Sequence, residues 1–448
     1  MAAGQSRAVG LSRLRAVGRA LAHRNYRLFF AGQGVSLIGT WMTRLATGWL
    51  VYRLAGADAA MLLGVVSFAG LAPTFFLGPV AGVFVDRWNR HRVLVATQVL
   101  SLVQSALLAW LAFAAEPGMV TVWLVAGLSV FQGLVNAFDM PARQALLVEM
   151  IERREDLANA IALNSSLVNG ARLVGPAVAG VVVAAAGEAW CFVIDAVSYL
   201  AVVAALLAMR LPRRHVKAAG SVVGHLAEGF RYVFGFAPVR TLLLLLAVVS
   251  FAAMPQSVLL PVFAGDVLGG GPSTLGLLTA MSGVGALVGA LFLAARPTVL
   301  GLGRVIIAST AVLGAGLIGF GLSRWVPVSA ALMLATGAGL MVQMAATNTI
   351  LQTIVDEDKR GRVMSFYGMA FQGAAPFGSL LAGWLAVRVG APAVVLGAGA
   401  VVLAGGLAFA TQLRRLRAIV RPVYARLGII PEVATGLQAA DLGAPARG

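Results

Sequence analysis

The sequence predicts an all-α integral membrane protein with twelve transmembrane helices in two six-helix halves. Of its 448 residues, 60% are hydrophobic and only 11% are charged, whereas a soluble domain carries roughly 25% charged residues. The apolar residues form long continuous runs, and a helix needs about 20 such residues to cross the hydrocarbon core. Transmembrane β-strands would alternate apolar and polar residues, so these runs are predicted to be helices.

Twelve apolar runs follow one another along the chain. Nine contain no Asp, Glu, Lys or Arg, and the other three carry one charged residue each, namely Arg44, Arg172 and Asp195. A soluble helix of this length would normally show a polar stripe. The predicted spans are 28–51, 61–85, 93–115, 119–138, 158–187, 189–209, 241–265, 267–295, 305–323, 325–350, 363–387 and 389–413.

Basic residues are distributed unequally between the two sides of these spans. An even number of spans places both termini on one side, and 29 of the 34 Lys and Arg residues then fall in the tails and loops of that side. Cytoplasmic loops are enriched in Lys and Arg, so we expect an inner (plasma) membrane protein with both termini in the cytoplasm. The net charge of +17 lies in short loop clusters and forms no contiguous basic face, so no nucleic acid partner is expected.

The longest internal hydrophilic stretch, 210–240, separates six spans from six. We predict a cytoplasmic lead-in (1–27), a first bundle (28–209), a cytoplasmic central loop (210–240), a second bundle (241–413) and a cytoplasmic, partly disordered tail (414–448). Residues 225–236 of the central loop read as a short amphipathic segment on the membrane face.

A weak repeat relates the two halves. Gly64 and Gly276 begin the second helix of each half and lie 212 residues apart. Two related six-helix halves are expected of a transporter with a binding site at the membrane midplane. In the fifth helices, three pairs of glycines lie 203 residues apart: Gly170 and Gly373, Gly175 and Gly378, and Gly180 and Gly383.

The loop after the second span contains Gly82, Asp86, Arg87, Arg90 and Arg92. Gly82 would let its helix approach a neighbour closely. Asp86 is surrounded by cations and could bind cations or a helix N-terminus presented by the other half, which would hold one gate closed. The alternative is an ordinary basic loop with one incidental acid.

Asp139 and Arg143 at the inner end of the fourth span, beside Pro141, are interpreted as further gate electrostatics, acting together with the Asp86 loop. Both groups are therefore assigned to a conformational gate on the predicted cytoplasmic side.

The Asp86 loop resembles the Gly-x3-Asp-Arg-x-Gly-Arg-Arg signature of the major facilitator superfamily, with Asn89 replacing its glycine and His91 one arginine. The equivalent loop of the second half lacks the acid. Residues 24–52, 136–144 and 157–164 are similar to the family that contains the enterobactin exporter. This resemblance covers the N-terminal half well, while the second half shows only general superfamily features.

The resemblance implies the major facilitator fold and secondary active export of a siderophore or drug-like molecule by rocker-switch alternating access. The sequence has a single cysteine, no histidine pair with metal-ligand spacing and no catalytic constellation, so no enzymatic activity, no cofactor and no metal are expected. We expect a monomer surrounded by lipid. The fifth span resembles the antiporter motif, which favours protons as the coupling ion; the alternative is a Pro-kinked packing surface. The alternative functions on the same fold are a lipid flippase or membrane assembly factor, and a solute importer. The motif residues are Gly170, Gly175, Pro176 and Gly180.

Arg44 and Arg172 are the most informative single residues. A charge at the bilayer centre costs about 2.5–3.5 kcal/mol on insertion scales, so it normally faces a cavity or a partner. We expect both to face the central cavity and bind anionic or oxygen-rich substrate groups, or to pair with Asp195; a purely structural pair is the alternative. Asp195 and Asp139 are also candidates for proton coupling. Further cavity candidates, each alternatively an interhelical hydrogen-bonding group, are Gln33, Trp41, Asn136, Asn164, Gln343 and Gln372.

Overall fold

The computed structural model describes residues 18–114, 118–210 and 230–430. Eleven continuous helical stretches within these ranges are long and apolar enough to cross a membrane. The first, Arg24–Gly78, has 55 residues, about 80 Å at the rise of an α-helix and far more than one crossing needs. A short turn at Gly56–Asp58 divides it into two helices. The predicted all-α fold with twelve spans is therefore confirmed.

The helices are defined as follows. The first half consists of α1 (Arg24–Ala55), α2 (Ala59–Arg87), α3 (Arg90–Ala114), α4 (Met119–Glu149), α5 (Leu157–Ala186) and α6 (Glu188–Leu207). The second half begins with α7, which continues from Ala237–Ala253 through Gln256–Val262 into a π-helical turn at Phe263–Val267. There follow α8 (Pro272–Ala294), α9 (Leu302–Leu322), α10 (Val326–Ile354), the composite α11 (Glu357–Gly368, π-helical Met369–Gly373, Ala374–Val389) and α12 (Ala391–Arg426).

Several helices extend beyond the predicted spans at the face where the described part of the chain begins (residue 18) and ends (residue 430), which we call the terminal face. Helix α4 ends at Glu149 instead of residue 138, and α12 ends at Arg426 instead of residue 413. Hydropathy marks only the apolar part of a helix, while its backbone hydrogen bonds continue into polar sequence. Asp139 and Arg143 consequently lie within α4.

Part of the predicted peripheral structure lies outside the described residues. This applies to residues 1–17 of the lead-in, 211–229 of the central loop and 431–448 of the tail. Within the predicted amphipathic segment, residues 230–235 are helical.

The two halves meet along two pairs of helices. In the first half, α1 packs against α5 and α6, and in the second half α8 packs against α10. Helix α5 lies against α8, which we call the first seam, and α2 lies against α11, the second seam. Because successive helices alternate in direction, α1, α5 and α7 all run from the terminal face to the opposite face.

Candidate functional site

Both seams contain a point where two glycines meet. A Cβ added to Gly180 of α5 would lie 2.9 Å from the Cα of Gly276 in α8, and one added to Gly64 of α2 would lie 3.2 Å from the Cα of Gly383 in α11. Small residues permit such close approach of membrane helices. Gly64 and Gly276 are related by the sequence repeat, as are Gly180 and Gly383, so the molecule makes the same contact twice.

The other members of the α5 motif have different surroundings. Pro176 is buried within α5, and its carbonyl oxygen would lie 2.8 Å from a Cβ added to Gly276. A Cβ added to Gly175 would lie 2.5 Å from the Cβ of Trp41, so Gly175 makes room for that side chain. Gly170, in contrast, has open space within 4 Å and mediates no close packing in this conformation.

Arg44 and Arg172 lie over the same indole ring. The Cζ of Arg44 is 5.0 Å and that of Arg172 is 5.2 Å from the centroid of Trp41, within the range of a cation–π interaction. Arg44 is three residues after Trp41 on α1, and Arg172 is three before Gly175 on α5, so helical periodicity brings both to the α1–α5 contact. A Cβ added to Gly283 of α8 would lie 3.4 Å from the Arg172 carbonyl oxygen, which places Arg172 at the first seam.

Asp195 forms no ion pair with these arginines. Its Oδ2 accepts hydrogen bonds from Thr43 (2.7 Å) and Ser105 (2.8 Å), and its Oδ1 is buried without a hydrogen-bond partner. The expected pairing with Arg44 or Arg172 is absent because α1 presents Thr43 to α6 on one face and Trp41 with Arg44 to α5 on another. Successive residues of a helix are about 100° apart, so these two faces diverge.

The remaining cavity candidates divide into buried and accessible groups. Gln33 and Gln343 are only 2% and 0% exposed, so both pack between helices in this conformation. Asn136 accepts a hydrogen bond from Gln132 at 3.2 Å. Trp41, Asn136 and Asn164 are half-buried and Gln372 is exposed, so these four are not enclosed by the protein in this conformation.

Exposed polar side chains lie on α5, α10 and α11, in the half of each helix that is nearer the terminal face. Polar groups facing lipid are costly, and in membrane proteins they normally face the bundle interior or a water-filled cavity. These side chains therefore indicate a polar space that opens toward the terminal face. They are Ser165, Ser166, Gln352, Ser365 and Gln372.

The Asp86 loop forms its ion pairs within the first half. Arg90 donates to Asp86 Oδ1 at 3.0 Å and to Glu149 Oε1 at 2.6 Å. Asn89, at the signature glycine position, accepts a hydrogen bond from the Arg92 backbone N–H at 3.0 Å and caps α3. Glu149 was not anticipated, because nothing in the local sequence links it to a loop 59 residues earlier.

Two members of this motif show no packing contact in the present conformation. A Cβ added to Gly82 would meet nothing within 4 Å, so the expected close approach of α2 to a neighbour does not occur here. The side chain of Arg87 is exposed.

Asp139 belongs to a separate buried cluster. It is 5% exposed and accepts hydrogen bonds from Thr97 (2.9 Å), Gln98 (2.7 Å) and Arg143 (2.5 Å). Asp139 and Arg143 were expected to act together with the Asp86 loop, but among the described residues no hydrogen bond or ion pair joins the two groups. Arg143 instead forms an ion pair with Asp139, one helical turn away on α4.

At the opposite face, a hydrogen bond joins the two halves. The Tyr52 hydroxyl of α1 donates to Asp266 Oδ1 of α7 at 2.5 Å. A Cβ added to the neighbouring Gly265 would overlap the Tyr52 hydroxyl, so the π-helical end of α7 closes directly over α1. Sequence reasoning missed this pair, since the partners are 214 residues apart and belong to no motif.

Known proteins share this sequence pattern and this fold. Residues 19–423 match the transmembrane secretion effector family. The chain is 25% identical to the staphyloferrin A transporter of Staphylococcus aureus, over 79% of this chain and 88% of the relative. It is 30% identical to the multidrug efflux pump Tap of Mycobacterium tuberculosis, over 80% and 85%.

Among solved structures, a POT family transporter in complex with 5-aminolevulinic acid superposes with a TM-score of 0.68 at 10% identity, covering 88% of this chain and 96% of the other. At that identity the likeness shows the fold alone, whereas the sequence match extends over nearly every helix. This chain therefore belongs to the transmembrane secretion effector family of the major facilitator superfamily.

Proposed function

We propose that this membrane transporter is a secondary active exporter of a small molecule, works by alternating access and is driven by proton antiport. One observation carries the proposal: Tyr52 and Asp266 join the halves at the opposite face, while the Asp86 and Asp139 clusters at the terminal face find their partners within the first half. A bundle closed at one face, with polar side chains exposed toward the other, encloses a cavity with one entrance.

The direction of transport rests on charge. The basic loops of the terminal face favour the cytoplasmic side, so the cavity would receive its substrate from the cytoplasm or the inner leaflet. A relative described as a multidrug efflux pump supports export, and a relative described as a staphyloferrin A transporter supports a small-molecule substrate.

The conformational cycle would use the glycine contacts as pivots. Gly180–Gly276 and Gly64–Gly383 bring backbones together without side chains that must repack, so the halves can rock about both seams. Asp86 pairs with Arg90 but keeps a side chain that is 56% accessible, so in the state closed at the terminal face its carboxylate would also reach a cation or helix end of the second half. Gly82 and Gly170 would then also acquire neighbours.

Asp195 is the better supported proton carrier. Asp139 already has a cationic partner in Arg143, whereas Asp195 is held by hydroxyl groups, and its Oδ1 has no hydrogen-bond partner among the described residues. Binding of a proton would remove a charge that no neighbouring cation balances, and the acquired O–H could donate a new hydrogen bond.

Transport by inverted membrane vesicles tests this proposal. Vesicles with and without the protein are energised to an acidic interior and given citrate, erythromycin, tetracycline or ethidium. The expected result is protein-dependent accumulation of at least one compound, abolished by a protonophore. Accumulation of none of them, gradient-independent movement of a fluorescent phospholipid instead, or protein-dependent uptake into whole cells would each contradict proton-driven export.

A further inference from the structure

Two guanidinium groups on the membrane-spanning helices α1 and α5 share one aromatic ring and have no acidic partner among the described residues. Arg44 and Arg172 approach the Trp41 ring to 5.0 and 5.2 Å, and neither forms an ion pair or hydrogen bond with any described residue. The Nε of Arg172 is buried without a partner. We infer that Arg44, Arg172 and Trp41 form a binding site for an anionic group, a carboxylate or similar oxyanion, of the transported molecule.

The positive charges of Arg44 and Arg172 are not balanced by the described part of the protein. An unpaired cation at the centre of a membrane-spanning helix is unfavourable by about 2.5–3.5 kcal/mol on insertion scales, and the two charges also repel each other. The indole ring offsets only part of this, since a cation–π contact contributes roughly 0.5–2 kcal/mol. The arrangement therefore lacks a negative charge, and a bound oxyanion would provide it.

The local geometry excludes an internal counterion. Asp195, the one acid predicted within a span, is engaged by Thr43 and Ser105 on the other face of α1. Asp139 is engaged by Arg143 on α4. The anion for Arg44 and Arg172 must therefore come from outside the described part of the chain.

The site is also held rigidly and remains accessible. Gly175 admits the Trp41 side chain between α1 and α5, which fixes the ring that both guanidinium groups contact. Arg44 is exposed and Arg172 is half-buried, so neither side chain is fully covered by the protein. A guanidinium donates in a planar fork that matches two carboxylate oxygens, and the indole face can pack against an apolar ligand body.

This inference deepens the proposed export function and rests on it: the substrate class would be organic anions, and a cation would be repelled. Arg172 adjoins Gly283 of α8 at the first seam. An anion bound between Arg44 and Arg172 would thus lie where the two halves move against each other.

Thermal stability of the purified protein in detergent tests the site. The probes are citrate, succinate, salicylate and inorganic phosphate. Triethyl citrate and salicylamide are the neutral counterparts of citrate and salicylate. The variants are Arg44→Gln, Arg172→Gln and both together. The matched control is Arg388→Gln, since Arg388 also lies over an indole, that of Trp384 at 3.6 Å, but at the opposite face.

We expect at least one anion to raise the melting temperature of the wild type and of Arg388→Gln, and no neutral counterpart to do so. Each cavity substitution should weaken the apparent affinity about tenfold to a hundredfold, as expected for hydrogen bonds to charged groups. Without ligand, the single variants should be at least as stable as the wild type, because a repulsion has been removed.

The inference is overturned if no anion stabilises the wild type, or if stabilisation persists in the double variant. It is also overturned if the single variants unfold at lower temperature without ligand, which would indicate a structural pair. Export of cationic compounds alone, unaffected by both substitutions, would contradict the anion site while leaving the exporter proposal intact. Absence of transport of every compound would instead contradict the exporter proposal.

Discussion

Gly180 of α5 and Gly276 of α8 meet backbone to backbone: a Cβ added to Gly180 would lie 2.9 Å from the Gly276 Cα and 3.0 Å from the Pro272 carbonyl oxygen. Their counterparts in the repeat, Gly383 and Gly64, meet in the same way across α11 and α2. The internal repeat of the sequence is thus expressed as a pair of equivalent contacts between the halves.

Substitution of Gly180 by alanine should destabilise the protein, whereas substitution of Gly170 should not. The added methyl at residue 180 meets backbone atoms that cannot rotate away, and overpacking of this kind typically costs about 1–3 kcal/mol. Gly170 lies on the same helix in open space and is the matched control. Thermal unfolding in detergent measures both; equal melting temperatures would show that the Gly180 contact can relax.

Substitution of Tyr52 by phenylalanine should favour the state that is open at the opposite face. It removes the hydrogen bond to Asp266, worth about 1 kcal/mol, which corresponds to a roughly fivefold change in the ratio of the two states. A cysteine introduced at exposed Ser165 reports on the terminal-face cavity, and the native Cys191 is buried. Maleimide labelling of this cysteine should slow in the Tyr52→Phe background.

Tyr367→Phe provides the control for that measurement, since its hydroxyl donates to the Met344 carbonyl within the second half. An equal effect of Tyr367→Phe on labelling would mean that loss of any tyrosine hydroxyl, and not of the bond between the halves, changes accessibility.

Arg90 should contribute more to stability than Arg87, although both belong to the same loop motif. Loss of the Arg90 side chain leaves Glu149, only 18% accessible as a side chain, without its cationic partner. A buried polar group without a partner costs about 1–3 kcal/mol, and a charged group costs more, whereas Arg87 is exposed. Urea or thermal unfolding of Arg90→Ala and Arg87→Ala compares them, and a second substitution, Glu149→Gln, should recover part of the loss in Arg90→Ala.

Asp195→Asn and Asp139→Asn should have different consequences. Asp195→Asn keeps a hydrogen-bonding group for Thr43 and Ser105 but cannot carry a proton, so we expect substrate-induced proton flux to be lost while substrate binding persists. Asp139→Asn should mainly reduce stability, because Arg143 loses its partner. Proteoliposomes containing a pH-sensitive dye measure the flux; a wild-type signal in Asp195→Asn would exclude this residue as the carrier.

The sequence identified several important positions through their rarity. Arg44, Arg172 and Asp195 stood out as the only charged residues within the apolar runs, and the structure places the first two on one ring. Gly175 belonged to a recognisable motif, but its role beside Trp41 depends on how α1 crosses α5. The expected pairing of the arginines with Asp195 failed because residues adjacent in a helix point in different directions.

The amino-acid sequence by itself determined that the protein lies in a lipid bilayer, how many spans it has, where its two halves divide and which glycines repeat. Hydropathy and residue spacing are local properties that can be summed along the sequence. The basic loops likewise predict the cytoplasmic face from composition alone. Only the tertiary structure decided which polar groups meet: Arg90 with Glu149 across 59 residues and Tyr52 with Asp266 across 214. Such partners are selected by helix crossings and rotations, which arise from packing of the whole bundle and leave no mark in either segment by itself.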